Sequence, residues 1–142
     1  MNYYDEHVHS SFSFDSQTEL SDYLKHADGC FVTTEHVDLE NSANHFMDSW
    51  MDYDRYSLYL ENLQKNTDIR LLKGVEIGWL RKHHGRLMAW LQCKQFDIIL
   101  LSIHQNGIFD YMDEEAKKHD IIYILRSYFQ QMLDALRSGI PA

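Results

Sequence analysis

Short apolar runs alternate along this chain with longer stretches whose apolar residues recur every three or four positions. Residues 3–8 read as a first strand. Residues 18–27 follow with Leu20, Tyr23, Leu24 and Ala27 at helical spacing, and Ser16 with Glu19 three residues on fits a capping box. Asp28-Gly29 ends that helix, and residues 30–34 form a short β-rich run. Residues 40–53 are polar and aromatic without a clean period, which predicts a long loop. Helical spacing returns over 54–66 through Tyr56, Tyr59, Leu60 and Leu63. After a break at 66–68, residues 69–77 read as a third strand and 86–92 as a short helix. Residues 96–103 make a fourth strand whose centre, Ile98 to Leu101, is continuously apolar, as buried parallel strands are. A long helix over 113–137 closes the chain, with Ile121, Leu125, Tyr128, Met132 and Leu136 on one face. Four strand-then-helix units in series predict a parallel α/β architecture in one domain spanning residues 1–142.

Length qualifies that picture. The chain has 142 residues, whereas a closed (β/α)8 barrel usually needs about 250 and rarely fewer than about 200. The formal charge of −9, from 13 Lys+Arg against 22 Asp+Glu, argues against a nonspecific grip on nucleic acid. It leaves room for a small phosphorylated substrate, because bound cations reverse the local sign of a site. No run is long enough to span a membrane, and residues 1–10 lack the basic and apolar regions of a signal peptide. Cys30 and Cys93 form neither a disulfide framework nor a CxxC pair. The cytoplasm is the expected compartment.

In parallel α/β folds, chemistry collects where strands end. The first strand ends in Asp5-Glu6-His7-Val8-His9, the second in Thr34-Glu35-His36, the third in Val75-Glu76-Ile77 and the fourth in Ser102-Ile103-His104. Each delivers a His or a Glu. His7 and His9, two apart on an extended strand, point to the same face. Asp15, six residues after His9 in a Ser-rich turn, can fold back over the strand mouth. A lone HxH is weak evidence, His36 alone could be a surface or core histidine, and Glu76 alone could pair with an arginine. Their agreement at four strand ends is the signal. Mixed imidazole and carboxylate suits Zn, Mn or Fe, and a carboxylate such as Glu76 can bridge two ions.

These residues resemble the opening motifs of the polymerase and histidinol phosphatase (PHP) superfamily. The first stands here as His7-Val8-His9-Ser10-Ser11-Phe12-Ser13-Phe14-Asp15, and the second as Thr34-Glu35-His36-Val37-Asp38. The third is Gly74-Val75-Glu76-Ile77-Gly78 and the fourth Leu101-Ser102-Ile103-His104. The resemblance implies a distorted (β/α)7 TIM-like barrel with two or three divalent ions at its C-terminal mouth, of which about four βα units are present. By position, His7, His9, Asp15, His36, Glu76 and His104 would be metal ligands; position 15 varies between His and Asp among relatives. The Thr-Glu-His and Ser-Ile-His versions are most similar to histidinol-phosphate phosphatases. They imply hydrolysis of L-histidinol phosphate to L-histidinol and phosphate, in histidine biosynthesis, by water activated on the metal ions. The alternatives are a non-catalytic metal-binding or interaction module of the same ancestry, or a phosphoesterase for another small phosphate ester.

Other residues carry two readings. Glu35 faces away from its ligand neighbour on the strand, and either orients a histidine or serves as a barrel-wall partner. His45, Trp50, Tyr53 and Tyr56 either cover the mouth as a lid or, the favoured expectation, pack against helices. His83-His84 reads as an exposed turn, His26 and His119 as solvated. The later family motifs, another His and an Asp-x-His pair, are not found before Ala142, nor are the arginines that would bind substrate phosphate. The chain thus resembles an N-terminal half: a fragment, a half-barrel with a partial site, or a homodimer whose two copies complete the barrel.

Overall fold

The computed structural model describes residues 7–141. Residues 3–6 of the expected first strand lie outside that range. At its far end, Val8 O accepts a hydrogen bond from Thr34 N at 2.9 Å. Among the described residues four strands form one sheet: β1 (Cys30–Asn41), β2 (Met47–Ser49), β3 (Arg70–Gly78) and β4 (Ile98–Ser102). Their spatial order is β2-β1-β3-β4. β1, β3 and β4 are mutually parallel, and β2 returns antiparallel on β1. The helices are α1 (Leu20–Tyr23), α2 (Tyr53–Gln64), α3 (His84–Leu91) and α4 (Ile121–Arg137). The α/β class and parallel order follow the sequence pattern. Among the described residues, no helix is long and apolar enough to cross a membrane.

Alternation along β1 and β3 separates a packing face from a chemical one. Val37, Leu39, Val75 and Ile77 are buried with Tyr56 and Leu60 of α2 and Leu87 and Leu91 of α3 in one apolar cluster. Tyr56 ties α2 to the sheet: its hydroxyl donates to Thr33 O at 3.0 Å, lies 2.7 Å from Thr33 Oγ1 and accepts from Gly74 N at 3.3 Å. The intervening residues, His36, Asp38 and Glu76, point the other way and are also buried.

Several boundaries differ from expectation. The helix expected over 18–27 is regular only at Leu20–Tyr23, and the capping box does not form. Ser16 Oγ instead donates to His9 O at 3.0 Å, and Tyr23 OH donates to the same oxygen at 2.8 Å. Those side chains tether the turn that follows His9. The loop expected over 40–53 is partly sheet, because β1 runs on to Asn41 and β2 pairs back on it. The turn between them places His45 and Phe46 at φ 53° and 59°, a conformation no hydrophobic periodicity announces. α4 begins at Ile121, where Asp120 accepts from the backbone N–H groups of Ile122 and Tyr123. His83 is buried, 3 % exposed, rather than in an exposed turn. His26 and His119 are exposed, His119 stacking on Phe109.

Candidate metal centre

The parallel strands bring their C-terminal ends to one side of the sheet. His36 and Glu76 stand in register on β1 and β3, and His104 follows β4 by two residues. The 7–15 segment is held over them by Glu35. On the opposite face of β1 from His36, the Glu35 carboxylate accepts from Ser10 N at 3.0 Å, Ser10 Oγ at 2.6 Å and Ser13 Oγ at 2.6 Å. Ser13 Oγ also accepts from His36 N at 2.9 Å. Glu35 therefore clamps the turn carrying His9 and Asp15 rather than touching an imidazole.

Glu76 lies at the middle of the cluster, only 2 % exposed. Its Oε2 is 3.0 Å from His7 Nε2, 3.0 Å from His9 Nε2 and 3.2 Å from His36 Nδ1. Its Oε1 is 3.0 Å from His104 Nε2. Asp15 folds back over the mouth as expected, with Oδ2 3.1 Å from His9 Nδ1 and 3.4 Å from His36 Nε2. The ligand atoms of His7, His9 and Glu76, of His9, Asp15 and His36, and of His36, Glu76 and His104 form three overlapping groups, each within 4.8 Å. All six residues singled out as ligands from the sequence fall in these groups.

Asp38 was missed. Its Oδ2 is 2.9 Å from His104 Nδ1 and 3.2 Å from His36 Nδ1. The signal was available, because His36 and Asp38 are two apart on a strand, as His7 and His9 are. A cavity of about 530 Å³ opens over the cluster and is walled by Phe14, Asn41, Asp110, Tyr111, Met112 and Tyr128 beside the titratable groups. None of His45, Trp50, Tyr53 or Tyr56 lines it. Trp50 packs on Trp90, and Tyr53 on Phe96, which is the packing role favoured for them.

The electrostatics are those of crowded, mutually neutralising groups. Burial alone would lower the pKa of His9, but its contacts with Glu76 and Asp15 outweigh burial and raise it to about 9. His104 is likewise raised to about 10: burial opposes protonation, and Asp38 and Glu76 overcome it. Burial would push Asp38 and Glu76 up, yet neighbouring imidazoles hold both carboxyls well below the usual range.

His9 Nε2, His36 Nδ1 and Glu76 Oε2 are buried and converge within 3.0–3.2 Å, yet none makes a hydrogen bond of acceptable geometry among the described residues. Buried polar atoms left this way call for an explanation, an ion among them. Imidazole nitrogens and carboxylate oxygens are the donor set of Zn, Mn and Fe sites. The residues present fit a divalent-metal centre.

A mixed α/β sheet whose three parallel strands carry a His/carboxylate cluster toward their C-terminal side defines a class of scaffolds able to hold divalent metal. A family model, the PHP domain, matches residues 5–140, and the chain belongs to that family. No curated protein matches it. Among solved structures it is similar to histidinol phosphate phosphatase from Lactococcus lactis subsp. lactis Il1403, crystallised with Zn, L-histidinol and phosphate. The TM-score is 0.83 at 23 % identity, over 95 % of this chain and 53 % of that one. The chain thus spans about half the length of that solved protein, and its fold is the corresponding part of a TIM-like PHP barrel.

Proposed function

We propose that this chain is the N-terminal half of a metal-dependent phosphoesterase of the histidinol-phosphatase type, hydrolysing L-histidinol phosphate to L-histidinol and phosphate in the cytoplasm. The convergence of His9 Nε2, His36 Nδ1 and Glu76 Oε2, buried and without hydrogen-bond partners among the described residues, carries this reading. His7, His9, Asp15, His36, Glu76 and His104 would hold two or three Zn, Mn or Fe ions, with the Glu76 carboxylate at the centre of the set. When bound, such ions supply a water of lowered pKa and neutralise phosphoryl oxygens. The protein's own groups supply the rest. Glu35 fixes the turn bearing His9 and Asp15, and Asp15 stands at the exposed mouth. The aromatic wall of Phe14, Tyr111 and Tyr128 flanks the cavity, where it would shelter a reacting ester from bulk water. The choice of substrate is supported by the relative's bound L-histidinol and phosphate.

The test is phosphate release from L-histidinol phosphate and a panel of other small phosphate esters, with Zn²⁺, Mn²⁺ or Fe²⁺ added. Metal-stimulated turnover that is strongest on L-histidinol phosphate and lost in His9→Ala supports the proposal. Strongest turnover on another ester replaces the substrate and leaves the reaction class.

A second reading has its own observation. The chain spans 53 % of the solved relative. Among the described residues β4 pairs only with β3, and α4 exposes Ile121, Leu125, Phe129 and Leu136. A metal-binding or interaction module completed by a second half, or by a second copy, fits these features. Metal binding without turnover by the 142-residue chain alone would favour it.

A further inference from the structure

Asp38 stands in register with Gly78 on the adjacent parallel strand, and Gly78 with Ser102 on the next. The Asp38 side chain must therefore pass over β3 to reach anything beyond β4. It does so across the glycine. A Cβ on Gly78 would lie 2.0 Å from Asp38 Oδ1 and 2.6 Å from its Cγ, closer than non-bonded atoms can approach. No residue with a side chain fits at position 78 while the carboxylate stays where it is.

Having crossed, Asp38 Oδ2 lies 2.9 Å from His104 Nδ1, and Oδ1 accepts from Asn41 Nδ2 at 3.3 Å. Asp38 is fully buried, at 0 % exposure, so water does not compete for these contacts. An imidazole whose Nδ1–H is given to a carboxylate presents the lone pair of Nε2 to whatever lies ahead. Here Nε2 faces Glu76 Oε1 at 3.0 Å, in the ligand cluster. Carboxylates that grip the remote nitrogen of a ligating histidine fix its ring and tautomer, and losing one typically costs ~10–100-fold in metal affinity.

We propose that Asp38, laid across the side-chain-free Gly78, is a positioning residue that fixes His104 as the Nδ1–H tautomer with Nε2 turned to the metal centre. This rests on the metal-centre reading above. It assigns the glycine at the end of β3 a role in metal affinity without any contact to the metal.

The experiment measures Zn²⁺ affinity of the full chain by chelator competition for the wild type, Asp38→Ala, Asp38→Asn and Gly78→Ala. Far-ultraviolet circular dichroism checks the fold. Long-range ¹H–¹⁵N correlation of the zinc-loaded wild type, assigned with His104→Gln, reads the His104 tautomer. The expected result is an Nδ1–H tautomer, with Asp38→Ala and Gly78→Ala folded and binding Zn²⁺ at least tenfold more weakly. Asp38→Asn, which keeps an acceptor oxygen, recovers part of the loss. A folded Asp38→Ala or Gly78→Ala within tenfold of wild type overturns the positioning role and leaves the metal centre standing. So does an Nε2–H tautomer in the loaded wild type, a result that needs no variant to fold. A wild type that binds no Zn²⁺ overturns the metal-centre reading and this role with it.

Discussion

Replacing Glu35 by Ala should both destabilise the chain and weaken Zn²⁺ binding at the proposed site, although the carboxylate touches no proposed ligand side chain. Glu35 is fully buried and accepts three hydrogen bonds, from one backbone N–H and two serine hydroxyls. Removing a buried acceptor leaves its donors unsatisfied at about 1–3 kcal/mol each. The hydroxyls of Ser10 and Ser13 can rotate to other partners, but Ser10 N–H cannot. The expected loss for Glu35→Ala is about 3 kcal/mol, and for Glu35→Gln, which keeps one acceptor oxygen, about 1 kcal/mol. The second effect is specific to the site. Ser10 and Ser13 bracket the turn between His9 and Asp15, and Ser13 also accepts from His36 N, so a freed turn costs several ligands their placement at once. Urea unfolding at equilibrium reads the first effect, and Zn²⁺ affinity in a variant shown to be folded reads the second. Stability within 0.5 kcal/mol (roughly the size of an ordinary surface change) together with unchanged Zn²⁺ affinity would refute the clamp.

Further expectations follow from the same geometry. With His9 raised to about 9 and His104 to about 10, both are protonated at neutral pH in the metal-free chain, so metal binding must expel their protons. Zn²⁺ affinity should therefore climb between pH 7 and 9 by a factor approaching about 100 per pH unit, and a flat profile in chelator competition would contradict the charge assignment. The stability of the metal-free chain should run the opposite way. Raised histidine pKa values contribute stability that is complete below about 6.5 and lost as pH rises through 9 and 10, so urea midpoints should fall over that interval. Tyr56→Phe removes the hydroxyl shared by Thr33 and Gly74 and should cost about 1–2 kcal/mol in urea unfolding without altering Zn²⁺ affinity. The exposed apolar residues of α4 and the edge of β4 predict self-association. Analytical ultracentrifugation should find a dimer or larger species, and a monomer at high concentration would remove the second copy as the completing partner.

The parts of this molecule legible in the sequence are those set by periodicity and by chemistry at strand ends. β3, β4 and α2 fall within two residues of their expected bounds because apolar spacing fixes them. His36 and Glu76 converge because parallel pairing sets them side by side on β1 and β3, His104 joins them two residues past β4, and Glu35 holds the segment bearing His7 and His9 over them. Asp15 required one more step, the inference that a Ser-rich turn folds back, and Ser10 and Ser13 on Glu35 are what fold it. Legibility failed where side chains serve long-range partners. Ser16 and Glu19 look like a local capping box, but Ser16 is drawn off to the carbonyl of His9, 7 positions away. The β2 hairpin depends on positive φ at His45 and Phe46, which hydrophobic pattern does not encode. Asp38 shares a face with His36 two residues before it, a cue the sequence does carry, but the glycine it crosses on β3 follows from strand register, which hydrophobic pattern does not encode. His83 looked exposed in a polar sequence, yet it is buried where Arg81–His83 turns into α3.

The central claim is that six side chains at the mouth of this sheet hold divalent metal. An anomalous difference map from crystals grown with saturating Zn²⁺, collected at the zinc edge, tests it most directly. Two or three strong peaks are expected, each about 2.0–2.2 Å from imidazole nitrogens or carboxylate oxygens of His7, His9, Asp15, His36, Glu76 and His104, with at least one peak on Glu76. An ordered cluster with no peak there, or zinc found only at surface histidines such as His26 and His45, would contradict it.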